Sequence, residues 1–441
     1  MAASSARPLG LWMCTALVVG NMIGSGVFML PASLAPYGWN AVIAWMLTIG
    51  GALCLAFVFA RLAEAFPRAG GPLAYTQEAF GPTAGFMVAW AYWISMWVGN
   101  AAIATGGVSY LSVFFPALGK VPGLAALVTV AVVWALTAVN CWGSKSAGRL
   151  QVVATILKLL PLIAVAGLAV VILARKGGAA VTPFEPSQLS AGGITAAATL
   201  TLWALLGLES ATVPADKVHE PTRTIPRATL YGTAFTGLIY LVVCSAVVVL
   251  SPADLLKTSN APFADFVGYH GGGDLRLVLA AFAAISAFGA LNGWVLLQGE
   301  MPYAMARDGV FPAWLGKVGK RGTPVRAHVL SSALLTILVL MNYAKSMADL
   351  FTFIALLATS ASLFTYLFSA LAALRLQQKH RMDASMLLTV LAIMAAVYSI
   401  WTLYGAGASA SLWGVVLLLA GLPVRFLTAR AARPVLPETV S

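Results

Sequence analysis

The sequence predicts an all-α, polytopic membrane protein of twelve transmembrane helices, and three observations carry that reading. Hydrophobic residues fill 60% of the 441 positions and charged residues only 9%, whereas a soluble domain carries roughly a quarter charged residues. The apolar residues gather in successive runs near the length of about 20 residues that a helix needs to cross the hydrocarbon layer. No run alternates with the period of an outer-membrane strand. Helices, which satisfy their own backbone groups in lipid, are what remains.

The runs are 11–35, 39–60, 82–115, 122–142, 150–173 and 193–214, followed by 227–250, 275–305, 327–343, 348–374, 386–404 and 408–427. The first follows a short polar leader without a convincing cleavage site, so it reads as a retained helix rather than a signal peptide. The third and fifth carry isolated polar residues inside apolar stretches. The sixth and seventh are separated by the polar connector Asp216 to Arg227, and the eighth and ninth by Phe311 to Arg326. No soluble domain stands apart, so residues 1–441 read as one membrane domain.

The formal charge of +12 would suggest nucleic acid in a soluble protein. Here the positions of the charges give a better account. With an inside amino terminus, most basic residues fall on the inner side, Arg61, Arg68, Lys145, Lys217, Arg223 and Arg381 among them. The outer side holds Lys120, Arg175, Lys176, Lys257, Arg276 and Lys345. That asymmetry fits the positive-inside rule with both termini cytoplasmic, and no nucleic-acid partner is called for.

Enzyme chemistry finds no footing. Cys14, Cys54, Cys141 and Cys244 lie in or beside apolar segments without metal-ligand spacing and read as small apolar filler. His219, His270, His328 and His380 fall at loops or segment ends, form no cluster and read as surface groups. Neither a metal nor another cofactor is expected. A channel would need a continuous polar path, whereas the polar groups here gather near one depth.

Two segments are interrupted at matching places. The first contains Gly20-Asn21-Met22-Ile23-Gly24-Ser25-Gly26, and the sixth contains Trp203 through Gly207 to Glu209-Ser210. Glycine costs up to about 1 kcal/mol against alanine inside a helix, so the first stretch is expected to unwind. Matched breaks in two halves point to inverted repeats with a binding site near the midplane. The repeats are then 11–173 and 193–374, with two further helices over 386–427.

An unwound first segment leaves backbone N–H groups at the start of a half-helix, where donors and the positive dipole end suit a carboxylate. Ser25 can add a hydroxyl, and Gly26 allows close approach. Small residues there could also serve tight helix packing alone. Unwinding near Gly207 frees carbonyls, those of Trp203 and Leu206, suited to an ammonium. A carboxylate at one break and an ammonium at the other describe the backbone of an α-amino acid.

Glu209 is a carboxylate deep in an apolar segment, functional by default, with pinning of the broken helix as the structural alternative. Lys158 is the only basic residue deep in a segment. Its ammonium can occupy a sodium position or release a proton, or the side chain can snorkel to an interface. Ser95 and Asn100 lie about a turn apart in the third segment beside Trp93 and Trp97. Trp203 and Trp294 are further aromatic candidates for facing a cation.

These motifs make the chain recognisable. Gly20 to Pro31, Ala69-Gly70-Gly71-Pro72, Tyr92-Trp93 through Gly99-Asn100, Thr201 to Ser210, Glu220 to Pro226 and Gly293-Trp294 occur in the order and spacing of a known group. From about Leu11 to Leu427 the sequence resembles the amino acid–polyamine–organocation superfamily, and most closely its bacterial basic amino acid/polyamine antiporters, the arginine/agmatine kind included. The resemblance implies a LeuT-like bundle of five-plus-five inverted repeats with helices 1 and 6 broken, in a bacterial inner membrane. It implies that Met22, Ser25 and Gly26 hold the substrate backbone with carbonyls of Trp203 and Leu206. Ser95, Met96 and Asn100 would meet the far end of the substrate, Trp294 would cover its side chain, and Ala358 stands at a further contact position. Trp203 matches a middle gate, and Tyr92 and Tyr366 match residues that close the path.

The chain departs from the arginine/agmatine pattern at Ser95, Met96, Ala358, Leu73 and Lys158. A fifth-helix lysine resembles proton-linked or exchange-type carriers, where it stands in for sodium. The expectation is a secondary carrier exchanging a cationic amino acid (arginine, lysine or ornithine) for another amino acid or an amine. Lys158 and Glu209 would couple the motion, protons could be involved, and a homodimer is possible by analogy. The rivals are a proton-coupled or exchanging carrier of neutral amino acids and a transport-inactive amino acid sensor.

Overall fold

A computed structural model describes residues 9–67, 70–142, 147–342 and 344–431, apart from the side chains of 147–156, Asp216 and 429–431. Arg68, Ala69 and Lys145, named above, lie outside the described residues.

The described chain is built from helices. The first crossing is α1 (Leu11–Met22) and α2 (Ser25–Leu34), and α3 (Trp39–Ala65) returns. A short α4 (Pro72–Phe80) precedes α5 (Pro82–Leu111). The four-residue α6 (Ala117–Lys120) leads to α7 (Leu124–Trp142), α8 (Ala147–Lys176) and α9 (Ala191–Leu205). The second half runs through α10 (Pro221–Leu250), α11 (Ala253–Lys257), α12 (Pro262–Gly271), α13 (Gly273–Arg307), α14 (Val325–Met341) and α15 (Met347–Gln378). Last come α16 (Met386–Gly405), α17 (Gly407–Leu419) and α18 (Gly421–Ala431). Among the described residues, eleven spans are long and apolar enough to cross a membrane, and the shorter apolar helix α14 makes the twelfth.

Several boundaries differ from the sequence expectation. The third crossing stops at Leu111 rather than 115, because the chain turns toward Pro116. Helices α4 and α12 lie between the expected apolar runs, where the sequence predicts no helix. They are too short for an apolar run, yet Tyr75, Thr76 and Ala79 of α4 and Phe263, Phe266 and Val267 of α12 are buried at helical spacing. Beyond the sixth-segment break no α-helix resumes. Residues Ser210–Thr212 and Ala215–Lys217 form only 3-10 turns. His328 is not a surface group: it is fully buried in α14, its ring against Gly299, where a side-chain carbon would fall within 2.5 Å of it.

The two broken crossings sit in matching surroundings. α1 packs on α10 and α8, and α9 packs on α3 and α15. α5, enclosed by α13 and α15, is buried almost from end to end. In hydrocarbon, helix association depends on close packing and interhelical hydrogen bonds rather than on exclusion of water. Thr48 Oγ1 lies 2.8 Å from Thr201 Oγ1 across α3 and α9. Trp401 Nε1 donates to Thr195 Oγ1 at 3.0 Å, and Thr199 donates to the Thr402 carbonyl at 2.6 Å, fastening α16 to α9.

Gly51 of α3 receives the Tyr398 ring of α16, where an added methyl carbon would lie 2.4 Å from the ring. Gly51→Val is therefore expected to destabilise the protein by about 1–3 kcal/mol, the usual range for overpacking. A lowered unfolding midpoint in detergent checks this; an unchanged midpoint would contradict the close packing of α16 on α3.

Candidate functional site

The site begins where α1 fails to continue into α2. Within the break, Ile23 N–H still donates to the Val19 carbonyl at 2.9 Å, and Gly24 N–H turns back to Met22 at 3.0 Å. The last carbonyls of α1 lose their helical donors, and other helices supply replacements. Lys158 Nζ of α8 donates to the Gly20 carbonyl at 2.9 Å. Trp294 Nε1 of α13 donates to the Asn21 carbonyl at 3.3 Å. The Tyr240 hydroxyl of α10 donates to the Met22 carbonyl at 2.9 Å.

The other side of the break is left open. Gly24 precedes α2 with no side chain to cap it, so the first amides of α2, starting at Ser25 and Gly26, have no helical acceptor. Together with the helix dipole they form an anion-holding end.

The sixth-segment break is held from within and from α15. Gly207 adopts φ +98°, a conformation that glycine reaches without strain. The Ser210 hydroxyl donates back to the Gly207 carbonyl and Thr212 to the Glu209 carbonyl at 2.7 Å. The Tyr366 hydroxyl donates to Glu209 Oε2 at 2.6 Å, and the Tyr92 hydroxyl reaches the same carboxylate. Gly207 N–H donates to the Tyr366 oxygen at 3.3 Å. The Trp203 carbonyl, expected to be free, accepts from Leu206 N–H at 3.3 Å, which leaves it one lone pair for a ligand.

A cavity lies between the two breaks. Met22, Gly24 and Gly26 line it from the first, and Trp203, Leu206 and Glu209 from the second. Tyr92, Ser95, Met96 and Asn100 form the α5 wall, and Trp294 closes another side. Gly26 faces the Trp203 indole so closely that a methyl carbon there would lie 2.7 Å from Nε1. The α5 wall presents acceptors. Ser95 Oγ donates to the Tyr92 carbonyl at 2.8 Å, so toward a ligand it can only accept. Asn100 Nδ2 donates to Gln298 Oε1 at 2.8 Å, leaving Asn100 Oδ1 without a partner.

Four expected site residues lie behind the cavity wall. The Ser25 side chain packs toward Gly106 on α5 and its hydroxyl has no partner. Ala358 is fully buried, and Ser362, one turn further along α15, reaches the cavity instead. Tyr366 bonds to Glu209, and Lys158 to the Gly20 carbonyl. Asn21, Ile103, Ala204 and Ser362 line the cavity and were not singled out in the sequence. Helical spacing from Met96 and Asn100 to Ile103 was a usable signal; nothing in the sequence marked Ser362. Among the described residues no three His, Cys, Asp or Glu side chains converge as metal ligands.

Gly26→Ala is expected to lower ligand affinity at least tenfold, because the methyl group must displace the Trp203 ring or block the α2 amides. Binding titrations on purified protein check it, and wild-type affinity would exclude Gly26 from the ligand contact.

Comparison with known proteins agrees with this architecture. The amino acid permease family matches residues 9–424. The chain is 36% identical over 389 residues to a cadaverine/lysine antiporter of Escherichia coli K12, covering 85% of each protein. It is 30% identical over 424 residues to the putrescine transporter PotE of Haemophilus influenzae, covering 95% of this chain and 96% of that one. The chain belongs to the amino acid permease family, a family of multi-pass membrane transporters and not of enzymes.

Proposed function

We propose that this amino acid permease exchanges a cationic amino acid, lysine, arginine or ornithine, for another amino acid or an amine across the bacterial inner membrane. The observation that carries the reading is the polarity of the cavity. Bare α2 amides stand at one end, and the α5 wall offers the acceptors Ser95 Oγ and Asn100 Oδ1. A zwitterion with a cationic tail matches that order of groups. Its carboxylate meets the N–H groups of Ser25 and Gly26, and its α-ammonium meets carbonyls near Trp203 and Leu206. Its tail runs over Met96 beneath Trp294 toward Asn100. The names of the relatives, which pair lysine with a diamine or carry putrescine, support the same charge class. A diamine lacks the carboxylate but keeps both cationic ends.

Exchange follows from alternating access. Residues 11–173 and 193–374 are read as inverted repeats, with 386–427 as two added helices, and the broken crossings move together against the rest. Trp203 and Trp294 act as gates on the ligand, and Tyr92 and Tyr366 close the path beside Glu209. Lys158 ties α8 to the end of α1 and takes the place of a sodium ion, so a proton can be linked to the motion. Both termini are assigned to the cytoplasm on the strength of the basic residues, and a homodimer fits the family.

The test is counterflow in proteoliposomes preloaded with one unlabelled compound at a time and offered labelled arginine or lysine. Uptake only against cationic amino acids or diamines is expected. Uptake of labelled alanine, serine or leucine in place of the cations would move the protein to the neutral carriers. No exchange of any compound would leave the sensor reading. Lys158→Met is expected to cut exchange at least tenfold while the protein still folds. The lost charge-assisted hydrogen bond to Gly20 is worth about 1.5–3 kcal/mol, and uptake normalised to folded protein measures the effect.

A further inference from the structure

Behind the α5 wall, a file of buried polar side chains runs away from the cavity through three more helices. Asn100 Nδ2 donates to Gln298 Oε1 of α13 at 2.8 Å. Gln298 Nε2 donates to Ser332 Oγ of α14 at 3.0 Å, and Ser332 Oγ lies 2.7 Å from Thr137 Oγ1 of α7. All four residues are buried. Of the four, Asn100 alone lines the cavity.

The two ends of an amide look alike in shape, so its orientation is decided by what its partners can donate. The far end of the file decides it here. Thr137 commits its single hydroxyl hydrogen to the Val133 carbonyl at 2.7 Å, so in its contact with Ser332 it accepts. Ser332 therefore donates to Thr137, and its oxygen can only accept from the glutamine. Gln298 must then point Nε2 at Ser332 and Oε1 at Asn100. Asn100 answers with Nδ2, and the atom left over is its carbonyl oxygen, buried and without a partner. The backbone on either side is also fixed: Trp93 Nε1 donates to Ser331 Oγ at 2.9 Å, and Ser331 donates to the Gln298 carbonyl at 2.9 Å.

We propose that Gln298 and Ser332, with Thr137, are positioning residues for substrate selectivity that lock the Asn100 amide with its acceptor toward the ligand. A reversed amide would present an NH2 group to the ligand tail, repelling an ammonium or guanidinium. The locked amide favours tails that carry N–H donors, and it leaves its oxygen unpaired against an apolar tail of the same length. The inference rests on the cationic reading of the site. The bland alternative, that the file only fastens α5, α13, α14 and α7 together, predicts lost stability but unchanged preference.

Lysine and norleucine, which differ only in the terminal ammonium, separate these readings. Their apparent affinities for purified full-length protein follow from ligand-dependent unfolding midpoints in detergent, a readout that needs no transport. Gln298→Met, close in size but without the amide, is expected to lower the preference for lysine over norleucine about tenfold, the size of one hydrogen bond to a charged group. Ser332→Ala, which leaves the Gln298 amide free to face either way, is expected to lower it partly. Ser332→Thr, which keeps the hydroxyl, is expected to retain it. Should Gln298→Met fail to fold, the two Ser332 variants, which do not line the cavity, carry the comparison. A wild-type preference kept in full by both Gln298→Met and Ser332→Ala overturns the inference alone. A wild-type protein that binds both ligands equally, or neither, overturns the cationic reading itself.

Discussion

An α-helix interrupted inside the hydrocarbon layer leaves carbonyls and amides that neither lipid nor the next turn can satisfy, and each unmatched group costs several kcal/mol there. The first crossing of this protein meets that constraint asymmetrically. The carbonyl side of its break is taken up by Lys158, Trp294 and Tyr240, which come from α8, α13 and α10. The amide side has no side-chain cap. One break thereby recruits three helices around itself and creates the cavity in the same step. On the proposed reading, a substrate carboxylate at the open amides completes that accounting.

The second break is closed in the opposite manner. Ser210 and Thr212 bond back to the local backbone, and Glu209 is drawn toward Tyr366 and Tyr92. The carboxylate lines the cavity, yet its hydrogen bonds make it part of the frame, since two phenols from α15 and α5 converge on it. The structural pinning expected as the alternative for Glu209 is therefore present in these bonds. The same economy governs α5: Ser95 gives its hydroxyl hydrogen to the Tyr92 carbonyl and Asn100 turns its amide nitrogen to Gln298, which leaves the two side-chain oxygens as acceptors. A low local dielectric strengthens such oriented dipoles.

The fold class was legible because a membrane imposes lengths and hydropathy on the sequence directly. Twelve apolar runs map onto the eleven long spans and α14 found among the described residues, and both breaks lie where glycines and polar residues interrupt apolar stretches. Short amphipathic helices such as α4 and α12 were not legible, since four buried residues in nine and five in ten make no apolar run of spanning length. His328 was misplaced for a related reason. A histidine two residues into a predicted segment looks like a terminus, whereas its burial against Gly299 depends on how α13 crosses α14.

Residue types, their depth in the apolar segments and the matched interruptions were enough to place the two breaks, Glu209, Lys158 and the polar residues of α5, because backbone propensity and the cost of charge in lipid act locally; Met22, Met96 and Tyr92 came only from the family resemblance. The choice of partners belongs to tertiary structure. That Lys158 reaches Gly20, that Ser362 rather than Ala358 meets the cavity, and that Gln298 turns the Asn100 amide are consequences of helices distant in sequence crossing at particular heights. Hydrogen-bond polarity in a buried network is fixed only when every donor has been assigned, and that assignment needs all the helices at once.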